Sequence, residues 1–502
     1  MASSNEEPNY IIMKYILFSI SLLWGGYLSG QDRSIEIDKV ITTQHQTVIK
    51  SQKITFQATT GTQPVWDEAG KTIAAVHYTY YKRTDIDRNP MRPLVISFNG
   101  GPGSGSVWMH LAYTGPSILK IDDEGFPVQP YGIKTNPYSI LDVADIVFVN
   151  PINTGFSRIT DPETKRETFF GVNADIKYLA EWLNTFVSRA NRWESPKYLI
   201  GESYGTTRVS GLALELQERQ WMYLNGVILV SPTGIGIDRS GPVDAANELP
   251  YFAATAWYHG KLPADLQQKD LDEILPEVEA YTVDKLIPTL AKGGFVSVEE
   301  KQSVAKQMAR YSGLSKQSIL DHNLAVPAPF FWKELLRSEG HTVGRLDSRY
   351  KGIDRMNAGT RPDYNSELTS WLHSFTPAVN YYYKNVLNYQ TDLKYNMFGP
   401  VHPWDRSNNQ TGENLRQAMA ENPYLNVMIQ SGFYDGATQY FDAKYTMWQI
   451  DPSGQLKDRF RFKGYRSGHM MYLRKEDLIK ANDDIRDFIK QSTPEAGQPA
   501  KY

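Results

Sequence analysis

A chain of 502 residues with 41% hydrophobic and 22% charged side chains can bury a large core, and its length allows one big domain or up to about three. A formal net charge of −3 gives no basic footprint, which argues against nucleic acid as a partner. The absence of cysteine excludes disulfides, thiolate metal sites and a thiol nucleophile together.

Residues 1–30 read as a signal peptide. Lys14 precedes the apolar run Tyr15 to Tyr27, and the small residues Ser29 and Gly30 lie ahead of polar Gln31-Asp32-Arg33, with Met13 as an alternative start. The run falls short of the roughly 20 residues a membrane span requires, so the mature chain is expected to be exported, periplasmic or secreted, without a stable span. A core of this size does not need disulfides in an oxidising compartment.

Along the mature chain, Ile54 to Thr59 and Thr72 to Tyr81 are β-patterned and separated by the turn Asp67-Glu68-Ala69-Gly70, which predicts an antiparallel hairpin. In the second strand Ala74, Val76, Tyr78 and Tyr80 share one face; Ala75, His77 and Thr79 share the other, more polar one, where His77 is read as a plain strand side chain. Pro93 to Phe98 is the next strand and runs directly into Asn99-Gly100-Gly101-Pro102-Gly103-Ser104-Gly105-Ser106. A phosphate cradle fails on spacing, because neither G-x-G-x-x-G frame has its third glycine and no Gly-Lys-[Ser/Thr] follows. Adjacent glycines after such a strand suit backbone N–H groups aimed at a developing oxyanion. Ala144 to Asn150 is another buried strand, ending in the polar loop Pro151 to Arg158. Gly171 to Ala190 carries Val172, Ile176, Leu179, Leu183 and Val187 at helical spacing.

The stretch Tyr198 to Thr206 is the centre of the chain: an apolar run ends in Gly201-Glu202-Ser203-Tyr204-Gly205, and a helical pattern follows through Val209, Leu212, Leu214 and Leu216. That is the setting of a nucleophile elbow, with Ser203 as the candidate nucleophile and glycines flanking it because the turn leaves no room for side chains. Gly226 to Ser231 is a further buried strand. The β–loop–helix alternation predicts a doubly wound, mostly parallel α/β sheet, its first part spanning 31–240. From Gly241 to Tyr395 the texture is helical, aromatic and charged, as expected of an inserted helical cap over the strand ends. Trp257, Tyr258, Phe330, Phe331 and Trp332 are assigned to its core rather than to substrate subsites. Strand texture returns at Leu425 to Gln430, before Asp435, and at Arg459 to Lys463, before His469. The second part of the core is placed at 396–492, with a disordered tail at 493–502. Ser203, Asp435 and His469 fall in the order Ser, Asp, His, each at or just past a strand. In this reading His469 takes the Ser203 proton and Asp435 fixes the histidine tautomer. No cofactor or metal is expected.

Taken together, Asn99-Gly100-Gly101-Pro102-Gly103, Gly201-Glu202-Ser203-Tyr204-Gly205, Asp435 and Gly468-His469-Met470 resemble the serine carboxypeptidases of the α/β-hydrolase superfamily, as a bacterial-type secreted member without cysteines. The resemblance implies peptide substrates cut at the C-terminus through an acyl-enzyme, and an oxyanion hole from the Gly101 and Tyr204 N–H groups. It also implies that Asn99, the Gly100 backbone and Glu202 bind the substrate's terminal carboxylate. The chemistry agrees, since a protonated Glu202 can donate to a carboxylate and an ionised one would repel it. The chain departs from the family's pattern at Ser97, where a Trp is common, and at Tyr113, where a second acid is replaced. An esterase or acyltransferase, or a catalytically silent binding protein, stands as the alternative on the same fold.

Overall fold

The computed structural model, which describes residues 33–87 and 89–502, is built on one ten-stranded sheet. The expected signal peptide lies outside the described residues. In chain order the strands are β1 (Val40–Ile49), β2 (Gln52–Trp66), β3 (Thr72–Arg83), β4 (Leu94–Phe98), β5 (Asp145–Val149), β6 (Arg158–Ile159), β7 (Lys197–Glu202), β8 (Gly226–Val230), β9 (Asn426–Gly432) and β10 (Phe460–Tyr465). Their spatial order is β1-β2-β3-β5-β4-β7-β8-β9-β10, with β6 paired to β3. The first three strands are antiparallel: β2 and β3 form the hairpin the pattern predicts, β1 adds an edge strand the pattern does not, and β3 meets β5 antiparallel. From β5 through β4, β7, β8, β9 and β10 every pairing is parallel. Parallel strands need long crossovers, and these place helices on both faces.

Strand periodicity decides which core each residue joins. Val95, Tyr198, Ile200, Ile228 and Met428 point to one face, against α10 (Lys475–Ser492) and neighbouring helices. Ile96, Leu199, Val227, Leu229 and Ile429 point to the other, against α2 (Val172–Arg189), α3 (Tyr204–Arg219) and α8 (Thr411–Glu421). A period of two therefore divides these runs between two hydrophobic layers.

His77 differs from its sequence reading. The face expected to be polar is covered, and His77 is fully buried with its ring edge-on to Phe156, Tyr383 and Tyr389. Its Nδ1 faces Asn150 Nδ2 at 3.1 Å, and burial pushes its pKa down to about 3, so it stays neutral. Two of these rings, Tyr383 and Tyr389, come from more than 300 residues downstream, beyond the reach of a strand pattern.

Between β8 and β9 the described chain is helical apart from one small hairpin, Thr342–Val343 with Lys351–Gly352. Its longer helices include α4 (Pro242–Tyr258), α6 (Val298–Ser312) and α7 (Ser366–Tyr381). A separate hydrophobic core forms here, where Phe252 stacks on Phe331 at 4.1 Å and Trp332 Nε1 donates to Tyr251 Oη at 2.9 Å. Among the described residues no helix is long and apolar enough to cross a membrane.

Candidate active site

Ser203 sits between the end of β7 and the start of α3, with φ 57° and ψ −125°. A non-glycine residue in that region is strained, and it persists because its surroundings fix it. Ser203 N donates to Val230 O, and Thr206 N and Oγ1 both donate to Ser203 O. The flanking glycines are forced by contact: a β-carbon on Gly201 would lie 2.2 Å from Gly205 O, and one on Gly205 would lie 2.9 Å from Phe98 O.

Because β4, β7, β9 and β10 run parallel, the loops after them leave the same edge of the sheet. Asp435 follows β9 and His469 follows β10, and Asp435 Oδ2 approaches His469 Nδ1 to 2.7 Å. Asp435 is fully buried, and its Oδ1 accepts from the backbone of Ala437 and Thr438. Thr438 Oγ1 lies 2.7 Å from Asp435 Oδ2 and 2.9 Å from the Ser231 carbonyl oxygen, and its one proton, shared between these acceptors, ties the acid to the loop after β8. Desolvation opposes a charge on His469, but the Asp435 carboxylate outweighs it through its charge and hydrogen bond, and the histidine's pKa is raised. Ser203 and His469 line one cavity of about 470 Å³. Among the described residues no hydrogen bond joins them, and proton transfer would have to tighten that contact.

The glycine loop closes the other side. A β-carbon on Gly100 would come within 2.5 Å of Tyr204 N and 2.9 Å of Ser203 Cβ, so the loop backbone lies directly against the elbow. Tyr204 opens α3, so its N–H is one of those a helix leaves without an internal acceptor. Gly101 adopts φ +103°, which a side chain would resist. Asn99, Gly100, Gly101, Glu202 and Tyr204 all line the same cavity as Ser203 and His469.

Glu202 is buried beside Ser203, with Asn99 Nδ2 donating to its Oε2. Tyr472 Oη donates from 2.9 Å to Oε1 and 3.0 Å to Oε2. Burial pushes the Glu202 pKa up to about 7 against the pull of His469 and the hydrogen bonds from Tyr472 and Asn99. Asn99 is fixed in turn: its Oδ1 accepts from Met109 N at 3.1 Å, and its carbonyl accepts from Arg208 Nη1 at 2.7 Å. Arg208 forms a fully buried ion pair with Asp175 at 2.7 Å.

All eight residues singled out in the sequence thus gather at one edge of the sheet, seven on the cavity wall and Asp435 behind His469. Several partners were missed. Thr438 carries a readable signal, an Asp followed three residues later by Thr in a tight turn. Tyr472, Arg208 and Asp175 carry none, because only the folded chain brings them to Glu202 and Asn99. Phe331 and Trp332 pack in the insertion's own core, as expected, while the cavity's aromatic wall is built by Trp108, Trp371 and Phe398, which the sequence reading does not single out. Ser97, one of the two departures, is buried inside β4 with no hydrogen-bond partner for its hydroxyl among the described residues.

A central parallel sheet, a serine elbow after β7 and an acid and a histidine after two later strands define an α/β-hydrolase. The family model described as serine carboxypeptidase matches residues 50–447, and the chain belongs to that family. Serine carboxypeptidase-like 36 of Arabidopsis thaliana is 29% identical over 185 residues, 36% of this chain and 35% of the relative. Serine carboxypeptidase-like 37 of the same plant is 31% identical over 165 residues, 31% of each. The matched stretch spans about a third of these curated relatives. The fold is similar to the crystal structure of KEX1(delta)p, a prohormone-processing carboxypeptidase from Saccharomyces cerevisiae, with a TM-score of 0.52 and 14% identity over 87% of this chain and 91% of that one.

Proposed function

We propose that the protein is an exported serine-type carboxypeptidase that releases C-terminal residues from peptides through an acyl-enzyme on Ser203. The observation that carries this reading is the buried Asn99–Glu202 pair one residue from the elbow serine: a group able to recognise a free C-terminus stands beside the attacking hydroxyl. In the mechanism His469 Nε2 takes the Ser203 proton as Oγ attacks the scissile carbonyl, and Asp435 holds the imidazole through Nδ1. The oxyanion is received by the N–H groups of Gly101 and Tyr204. His469 then gives its proton to the departing amine of the C-terminal residue, and water, activated by the same histidine, hydrolyses the ester. Asn99, the Gly100 backbone and neutral Glu202 hold the terminal carboxylate meanwhile.

Protonation of Glu202 and His469 is coupled, because each charge shifts the other. The productive form has Glu202 protonated and His469 neutral, and a bound carboxylate selects it by repelling an ionised Glu202. The domain division proposed is a leader at 1–30, a hydrolase core at 31–240 and 396–492, a helical cap at 241–395 and a tail at 493–502. Export to the periplasm or the medium rests on the leader pattern.

Incubation with a serine-reactive fluorophosphonate, followed by mass spectrometry of a digested peptide ladder, tests the reading. Label on Ser203 and stepwise loss from free C-termini, absent on C-terminally amidated peptides, is the expected result. Absence of label would leave a silent binding protein. Label with equal action on amidated peptides or esters only would leave an esterase or acyltransferase.

A further inference from the structure

Two donors from within the protein grip Glu202. Tyr472 Oη lies 2.9 Å and 3.0 Å from its two oxygens, and Asn99 Nδ2 donates to Oε2. The carboxyl group therefore accepts hydrogen bonds on both oxygens and needs to give none inside the protein. Tyr472 is itself immobilised: it is buried, and its ring lies flat on Tyr113 with centroids 4.7 Å apart and planes 11° apart. Tyr113 Oη donates to Gln430 Oε1 at 2.6 Å, Gln430 Nε2 donates to Tyr465 Oη at 2.9 Å, and Tyr465 donates to Asp484 at 2.8 Å. Asp484 ends the chain in an ion pair with Lys463 at 2.7 Å. Tyr113, at the place where the family resemblance implies a second acid, thus gives its hydroxyl proton to Gln430 and not to Glu202.

We propose that Tyr472 is the positioning residue of the Glu202 carboxyl group, taking over from a different loop the grip that Tyr113 has given up. The inference rests on the reading of Glu202 as the carboxylate-binding group. Its chemistry differs from that of paired acids in one respect. Two carboxyl groups sharing a proton bond to each other, whereas a phenol that donates leaves the proton of neutral Glu202 to be given to the substrate's carboxylate. A donating phenol also favours the ionised form, so the hydroxyl limits how far into alkali Glu202 stays neutral. The other groups facing Glu202 are His469 after β10, whose charge acts in the same direction, and Asp435 after β9, which opposes it. Tyr113 at the end of α1 (Val107–Ala112) and Asn99 after β4 complete the surroundings.

Tyr472→Phe removes the hydroxyl and keeps the stacked ring. The expected result is that the alkaline limb of kcat/KM for a peptide with a free C-terminus moves up by about half a pH unit or more. KM for that peptide at acid pH should rise several-fold as the carboxyl group loosens, and by more than the KM of an ester without a free carboxylate. Tyr113→Phe, which cuts only the link to Gln430, should leave the limb in place. In Glu202→Gln, adding Tyr472→Phe should no longer move any pH midpoint. A Tyr472→Phe limb and KM equal to wild type, or a limb moved by Tyr113→Phe instead, would overturn the proposal. If wild type itself shows no alkaline limb and amidating the peptide changes nothing, it is the assignment of Glu202 that fails. If both wild-type features are present and only Tyr472→Phe is silent, Tyr472 alone is misassigned. A melting curve of each variant separates lost folding from lost positioning.

Discussion

Asp435 Oδ2 stands 2.7 Å from His469 Nδ1, and that contact lies out of reach of solvent on the carboxylate side. A buried carboxylate that accepts from one ring nitrogen decides which nitrogen is left for Ser203. Asp435→Asn keeps the shape and favours the wrong tautomer, so turnover should fall by roughly 10⁴ with the melting curve little changed. Steady-state kinetics on an ester substrate reads this out without involving Glu202. Full activity would move the acid to another residue.

Ser203→Ala removes the attacking oxygen from a backbone that its neighbours already hold at positive φ. Labelling by fluorophosphonate should vanish and turnover should drop by several orders of magnitude, with circular dichroism unchanged. Near-normal turnover in this variant would discard the elbow as the reaction centre.

Glu202 gives the pH dependence its sign. Its pKa is raised to about 7 by burial, so the neutral form that can donate to a carboxylate dominates below that value and is lost above it. Peptide cleavage should therefore lie on the acid side. An ester lacking a free carboxylate should hold its activity toward neutral pH, limited by His469. In Glu202→Gln the amide donates without titrating, and the alkaline rise in peptide KM should flatten. A wild-type KM that is flat from about pH 4 to 8, spanning the reference carboxyl and histidine values, would refute this.

Arg208 and Asp175 offer a stability test away from the reacting atoms. Removing one member of a fully buried pair strands the other charge, so Arg208→Met should destabilise by about 3–5 kcal/mol in denaturant unfolding. Adding Asp175→Leu should restore most of that. Peptide KM should stay raised in the double variant, because the Asn99 carbonyl has lost its donor.

What could be read from the chain follows from the range of each interaction. Short apolar runs such as Leu94–Phe98 and Gly226–Val230 announce themselves, since a strand buried on both faces has few polar positions to confuse it, Ser97 being the single one in these two. The glycines around Ser203 are legible because a turn that tight acts between neighbours in sequence. Tyr472 is 270 residues from Glu202, and Arg208 is 109 from Asn99, so no local pattern could connect them. His77 was misread for the same reason, its cover being supplied from across the molecule.

The insertion between β8 and β9 reaches back at one point with a consequence for engineering. The carbonyls of Arg345 and Leu346 accept from Gly436 N and His469 N, and Arg349 Nη2 donates to Ser467 Oγ at 3.0 Å. One short strap thus hangs the amides of both the acid loop and the histidine loop. Exchanging the whole insertion for another protein's, as one would to alter substrate choice, would cut two suspension points of the relay along with the roof. A graft that keeps Arg345 to Arg349 in place and trades only helices upstream of it leaves the relay hanging where it was.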